Sequence, residues 1–173
     1  MKTIKLFSVL FLYVLASCSS VMVNADYDKK ASFKNYKTYA FLKSSIDKAE
    51  ISDLDKKRIL RSIDETMTFK GFSKSENPDL LVSIFTKEQE RVDVYNSFGV
   101  GWGWNPYWGM NFNTVTSTPE GTLFIDLIDA KSKEQVWQGE GTGYLTKNTD
   151  KKDERIKTFV DKILAQYPPK PKK

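Results

Sequence analysis

Histidine is missing from this sequence, and cysteine occurs once, at Cys18. A single thiol forms no disulfide within its own chain, and zinc sites built on Cys and His are excluded. Ser-His-Asp and Cys-His nucleophile pairs are excluded with them. Carboxylate-only chemistry stays open, and no metal or cofactor is expected. A strong charge of one sign is lacking too. The formal net charge is +5, and setting aside Lys2 and Lys5 in the first five residues leaves +3. The remaining basic residues are spread through the chain instead of forming one stripe, so no nucleic-acid partner is expected. The one long apolar run, Leu6–Ala16, has eleven residues, short of the roughly 20 that a membrane span needs.

That run follows the short positive segment Met1-Lys2-Thr3-Ile4-Lys5, an arrangement of secretory signals. It ends in Leu15-Ala16-Ser17-Cys18, which is similar to a bacterial lipobox, where small residues precede the cysteine that receives lipid. Each buried methylene contributes about 0.8 kcal/mol, and two or more acyl chains anchor stably. The expected organisation is a signal peptide over 1–17, a lipidated N-terminus and short tether over 18–25, a single domain over 26–168 and a basic tail over 169–173. Cys18 is the expected lipidation site and the membrane its partner. Ser19 and Ser20 stand where lipoprotein sorting reads an Asp as retention. Their presence implies the outer membrane, with the protein facing the periplasm.

In the body, Val21–Asp28 and Tyr36–Leu42 have strand composition. Ser52 is placed to cap a helix running to about Lys70, with Ile59, Leu60, Ile63 and Met67 on one face and Gly71 as its left-handed stop. Asp79–Thr86 is a further strand after the Asn77-Pro78 break. Thr114–Pro119 reads as a short edge strand or the tail of a loop. Gly121–Gly141 reads as a β-hairpin with a polar turn at Asp129–Lys133. Its outgoing arm is apolar on both parities, so it is expected mid-sheet with both faces covered. Thr149 or Asp150 caps the last helix, which carries the stripe Ile156, Phe159, Val160, Ile163, Leu164 and Tyr167. The fold expected is α+β: a mostly antiparallel sheet with two helices packed on one face (β-β-α-β-β-β-α), a two-layer sandwich.

Between these strands, residues 96–113 hold three of the four tryptophans and four of the nine glycines. Trp102, Trp104, Tyr107 and Trp108 are the candidate binding residues. The segment reads as a covering for the second sheet face, as an aromatic ledge for a protein or glycan partner through 98–112, or as a membrane-interface element. The remaining chemical candidates are the acids Asp126, Asp129 and Glu140. Asp126 and Asp129 are three apart and so point to opposite faces of a strand. Asp129 is expected to cap the turn and Asp126 to pair with a donor such as the Trp137 indole. No catalytic residue is assigned, and a non-enzymatic binding or structural module is expected.

Four blocks carry a family resemblance: the lipobox at Cys18; Asp26-Tyr27-Asp28 with Phe33 and Tyr36–Phe41; Asn77-Pro78-Asp79-Leu80-Leu81-Val82; and Gly121–Asp129 with Val136-Trp137-Gln138-Gly139. On these the chain resembles bacterial envelope lipoproteins grouped as domain of unknown function 4136. That resemblance implies the cell envelope as location. It brings no activity, cofactor or catalytic residue.

Overall fold

The computed structural model describes residues 21–96, 113–144, 146 and 148–170, with side chains described except at 89–96 and 113–119. The chain order is β1 (Val21–Tyr27), β2 (Thr38–Phe41), α1 (Lys43–Ile46), α2 (Asp53–Phe69), β3 (Ser73–Lys74), β4 (Leu80–Asn96), β5 (Asn113–Asp129), β6 (Gln135–Tyr144) and α3 (Thr149–Leu164). One six-stranded sheet results, in the spatial order β1-β6-β5-β4-β2-β3. The two long helices lie on one of its faces, the α+β arrangement that the apolar stripes predict.

The sheet is mixed instead of mostly antiparallel. β1, β6, β5 and β4 pair antiparallel, whereas β2 runs parallel to both β3 and β4. The cause is the helical crossover between β2 and β4, which returns the chain in the direction it left. The short elements α1 and β3 are not signalled in the sequence. β1 begins at Val21, opposite Gly143 of β6, so residues 21–25 belong to the sheet and not to a tether. Thr114–Pro119 is neither a separate edge strand nor a loop tail, because β5 runs unbroken from Asn113.

The helix ends follow capping chemistry. Ser52 Oγ accepts the backbone N–H of Asp55 at 3.1 Å, and Gly71 takes a φ of +87°, the left-handed stop that favours glycine. At α3 the cap is Asn148 instead of Thr149 or Asp150; its side-chain oxygen accepts the Asp150 N–H at 2.9 Å. One residue earlier, the side chain has the extended backbone that a cap requires.

Strand parity sorts the core. Leu80, Val82, Ile84, Leu123, Ile125, Leu127 and Trp137 face the helices and are buried, as are Ile63, Met67, Val160, Ile163 and Leu164 on the facing helices. Burying such a side chain contributes about 1.5–3 kcal/mol. The opposite face departs from the expected two-sided burial. Phe124, Ile128 and Leu81 are only half-buried, and Phe85 is 55% exposed. Phe85 and Phe124 shelter each other, with ring centroids 5.7 Å apart. The residues expected to cover this face, 96–113, lie almost wholly outside the described residues.

Candidate functional site

The two ends of the sheet differ in kind. At one end lie the Asp129–Glu134 turn, the C-termini of α2 and α3, and an aromatic cluster in which Tyr167 meets Trp137 at 5.4 Å and Phe33 at 5.9 Å. Here the acidic residues tie strands together. Asp79 Oδ2 accepts from the backbone N–H of Lys37 and of Thr38, each at 2.8 Å, and from the Thr38 hydroxyl. Those three donors hold its carboxyl below the usual carboxylate range. Asp129 Oδ1 accepts from the N–H of Lys131 and Ser132, which caps the turn as its spacing predicts. Its Oδ2 accepts from the Tyr36 hydroxyl at 3.0 Å. Burial first, and that bond second, push the Tyr36 phenol up to about 12.

Asp126 does not meet the Trp137 indole. Leu127 pairs with Trp137 and Asp126 with Gln138, so the indole faces the helices and Asp126 faces away. Its Oδ1 accepts instead from the Gln138 side chain at 2.7 Å and from Gln135 at 3.3 Å. Burial pushes this carboxyl up, against the Gln138 bond. Glu140 shares that face two residues beyond Gln138, while Asp129 is engaged at the turn. The three acids therefore do not converge on one cavity.

At the other end, β4 and β5 continue past their neighbours. Beyond the last pair of β5 with β6, Glu120 with Tyr144, seven further pairs join β4 to β5, from Glu90–Pro119 to Asn96–Asn113. At about 3.4 Å per residue this two-stranded ribbon projects roughly 24 Å. Among the described residues no third strand pairs with it. Pro119, which cannot donate a ladder hydrogen bond, sits where β5 leaves β6 and discourages one. Trp102, Trp104, Tyr107 and Trp108 belong to the segment linking the ribbon's two strands and lie outside the described residues. So does Cys18, three positions before β1.

Beneath the root of the ribbon, on the helix side, a cleft of about 450 Å³ opens between the sheet and the N-terminal halves of α2 and α3. That volume falls within the roughly 300–1,000 Å³ of small-molecule sites. Ile51, Ile59, Leu123, Ile156 and Phe159 supply its apolar surface. Its charged side chains are Asp55, Glu88, Lys152 and Arg155, while Lys87, which alternates with Glu88 along β4, turns its side chain to the opposite face with Phe85. On α3, Lys152 precedes Ile156 and Arg155 precedes Phe159 by four residues. Each cation therefore sits one turn above an apolar neighbour on the same face. The Arg155 guanidinium lies 4.9 Å from the centre of the Phe159 ring, and its Nε–H donates to the Tyr144 carbonyl at 3.0 Å. Burial pushes Arg155 down from its ordinary value. Asp55 is pushed up by burial, yet bonds from Lys152, Ser52 and Arg58 outweigh this and hold it low. In the wall, the Thr86 hydroxyl is buried without a hydrogen-bond partner among the described residues.

The cleft exists because helix and sheet approach unequally. Gly139 and Gly141 carry no Cβ, and Ile163 of α3 occupies that space: an added Cβ would lie 2.5 Å and 2.8 Å from it. Toward the ribbon root the wall changes to Leu123 and Thr86, and the helices stand off. Only the fold brings Ile51, Glu88 and Arg155 together; the one local signal is the paired Lys152/Ile156 and Arg155/Phe159 spacing. Among the described residues no group of three or more acidic, Cys or His side chains could hold a metal, and no helix is long and apolar enough to cross a membrane.

The family described as Domain of unknown function (DUF4136) matches residues 23–169, and the chain belongs to that family. No curated protein matches it. Among the solved structures that share its fold are two bacterial ones. One is a PDZ domain protein from Parabacteroides distasonis ATCC 8503, 18% identical with a TM-score of 0.53; 88% of this chain is covered, spanning only 37% of that protein. The other is the PelC dodecamer from Paraburkholderia phytofirmans, 14% identical with a TM-score of 0.51, covering 84% of this chain and 96% of that one.

Proposed function

We propose that this member of the family is a lipid-anchored protein of the bacterial cell envelope, held at the outer membrane on its periplasmic side, and that it works as a binding or structural module and not as an enzyme. The lipobox-like Leu15-Ala16-Ser17-Cys18 supplies the anchor. One geometric observation carries the rest. Val21, Gly143, Gly121 and Glu88 form a single row across four strands. Three residues span at most about 11 Å, so Cys18 is tethered to the same end of the sheet as the cleft and the ribbon root. At roughly 4.8 Å per strand, the start of β1 lies about 10 Å from Gly121 in the cleft lining.

A domain attached this way presents its cleft and ribbon toward the membrane side and its tied, aromatic end away from it. The ribbon leads into the segment holding Trp102, Trp104, Tyr107 and Trp108, the surface for an envelope protein partner, with a glycan as the alternative occupant. The acids Asp79 and Asp129 serve as structural ties, which supports a binding role over carboxylate catalysis. The test is Cys18→Ala in the native host with labelled palmitate. The substitution should abolish labelling and move the protein from the membrane to the soluble fraction. Unchanged membrane partition with label retained would sink the anchor.

A further inference from the structure

We infer that the cleft between α2, α3 and the ribbon root holds one acyl chain of the lipid on the protein's own Cys18, while that lipid's other acyl chains stay in the bilayer. This rests on the anchored reading above. The cleft's chemistry asks for an uncharged occupant. Ile51, Ile59, Leu123, Ile156 and Phe159 give it an apolar lining, and Lys152 and Arg155 at its rim are balanced by Asp55 and Glu88. Lys152 is bonded to Asp55 at 2.9 Å, and Arg155 to the Tyr144 carbonyl at 3.0 Å. A charged headgroup would lose hydration on entry and find no net counter-charge. An acyl chain attached through an ester or amide carries no charge. In moving from bilayer to cleft it exchanges one apolar environment for another, while the cleft lining is removed from water, so the net effect is favourable.

Tether length and strand register select the occupant. Cys18 lies three positions before Val21, which shares a row with Gly143, Gly121 and Glu88. Gly121 and Glu88 both line the cleft. Three strand spacings separate Val21 from Glu88, about 14 Å. The three tether residues span up to about 11 Å. One acyl chain, half of a hydrocarbon core roughly 30 Å thick, adds about 15 Å. That reach leaves slack for rounding the start of α3. A chain tethered within reach has an effective concentration in the millimolar range, whereas a free bilayer lipid must first rise out of the membrane plane.

The test feeds the native host a palmitate carrying a diazirine on its tail, so that the probe enters the lipid on Cys18. The full-length protein is purified and reconstituted at low density in vesicles of unlabelled phosphatidylethanolamine. An equal amount of heavy-isotope wild-type protein grown without the probe shares the same vesicles. After irradiation, crosslinked peptides are identified by mass spectrometry. Crosslinks should join the N-terminal lipopeptide to light peptides containing Ile59, Ile156 or Phe159, at about ten or more times the yield on their heavy counterparts. Ile156→Trp, which fills the cleft, should remove these crosslinks while leaving the unfolding midpoint near wild type. If that variant unfolds, the light-to-heavy ratio decides alone. Equal light and heavy yields would make the cleft a site for any neighbouring acyl chain and overturn the inference. Crosslinks spread evenly over the surface, or gathered on the peptides of Phe85 and Phe124, would overturn it as well. A labelled lipopeptide crosslinked only to vesicle lipid overturns this inference and leaves the anchor standing. An N-terminal peptide free of label overturns the anchor, and this inference with it.

Discussion

Gly139→Ala tests the close approach that shapes the sheet–helix interface. Alanine for glycine at an unstrained position ordinarily stabilises by about 0.4–1 kcal/mol, because the unfolded chain loses freedom. At Gly139 the folded state opposes this. An added Cβ would lie 2.3 Å from Trp137 Cη2, 2.5 Å from Ile163 Cγ2 and 3.0 Å from Trp137 Cζ2, whereas carbons sit comfortably at about 3.5–4.0 Å. Neither neighbour has room to yield, since Trp137 is 1% and Ile163 0% exposed. Overpacking of this kind costs typically 1–3 kcal/mol, occasionally more, and two simultaneous overlaps place Gly139 at the upper end. The net expectation is a loss of about 2 kcal/mol, or roughly 4–8 °C in Tm for a domain of this size. Gly141→Ala should cost less, because its nearest contacts, at 2.8 Å, are Cδ1 and Cγ1 of the single side chain Ile163. The assay is urea unfolding followed by the shift in midpoint at constant slope. Trp137→Phe supplies the second arm of a double-mutant cycle. The indole Nε1 is buried without a partner among the described residues, so this change removes ring atoms without breaking a bond seen there. Gly139→Ala should be less harmful in the Trp137→Phe background than alone. A Gly139→Ala protein as stable as wild type, or strictly additive with Trp137→Phe, would refute the reasoning.

The acids yield opposite pH signatures. Asp79→Ala should cost about 1–2 kcal/mol at neutral pH, because it strands the N–H groups of Lys37 and Thr38 near the surface. Its carboxyl is held low in the folded state, so this stability is present above the unfolded value of about 3.9. It is lost as pH falls through the lower folded value, and the difference from wild type should narrow in that acid window in urea titrations. Asp126 is shifted upward by burial, which reverses the sign: its contribution falls as pH rises from the unfolded value through the folded one. Asp126→Asn should therefore be neutral or stabilising at pH 7, with any gain shrinking toward pH 3. A destabilised Asp126→Asn at pH 7 would show that the ionised carboxylate does something the Gln135 and Gln138 bonds do not reveal.

Much of the fold was legible because its signals are local. The Ser52 cap, the Gly71 stop, the apolar stripes of α2 and α3 and the Asp129 turn each depend on residues within a turn or two of one another. Mid-sheet placement of β5 followed from its apolar run, although half-burial of Phe124 and Ile128 shows that apolar residues on both parities do not guarantee two covered faces. Parallel pairing of β2 with β4 was not legible, since Tyr39 meets Leu80 across 41 positions and no local pattern records direction. The partner of Asp126 was misread for a related reason. Trp137 is close in the hairpin, but the alternation of faces puts its indole on the opposite side from the carboxylate.

The candidate site follows the same division. Sequence composition draws attention to the aromatic segment and to the acids of the hairpin, where unusual residues cluster along the chain. The cleft is built from ordinary residues of separate stretches: Ile51 with α2, the middle of β4, the middle of β5, and Thr146 with the first three turns of α3. None of these carries a signature alone, because isoleucines and lysines at helical spacing describe any amphipathic helix. Meaning arises only from the register that aligns Val21, Gly143, Gly121 and Glu88, for it puts the start of β1 beside the cleft lining. A one-residue slip of β1 would leave its sequence pattern readable and yet turn Val21 and Val23 away from the helices. The pairing that seals the core is therefore the same pairing that fixes how an anchor at Cys18 would orient the cleft and the ribbon.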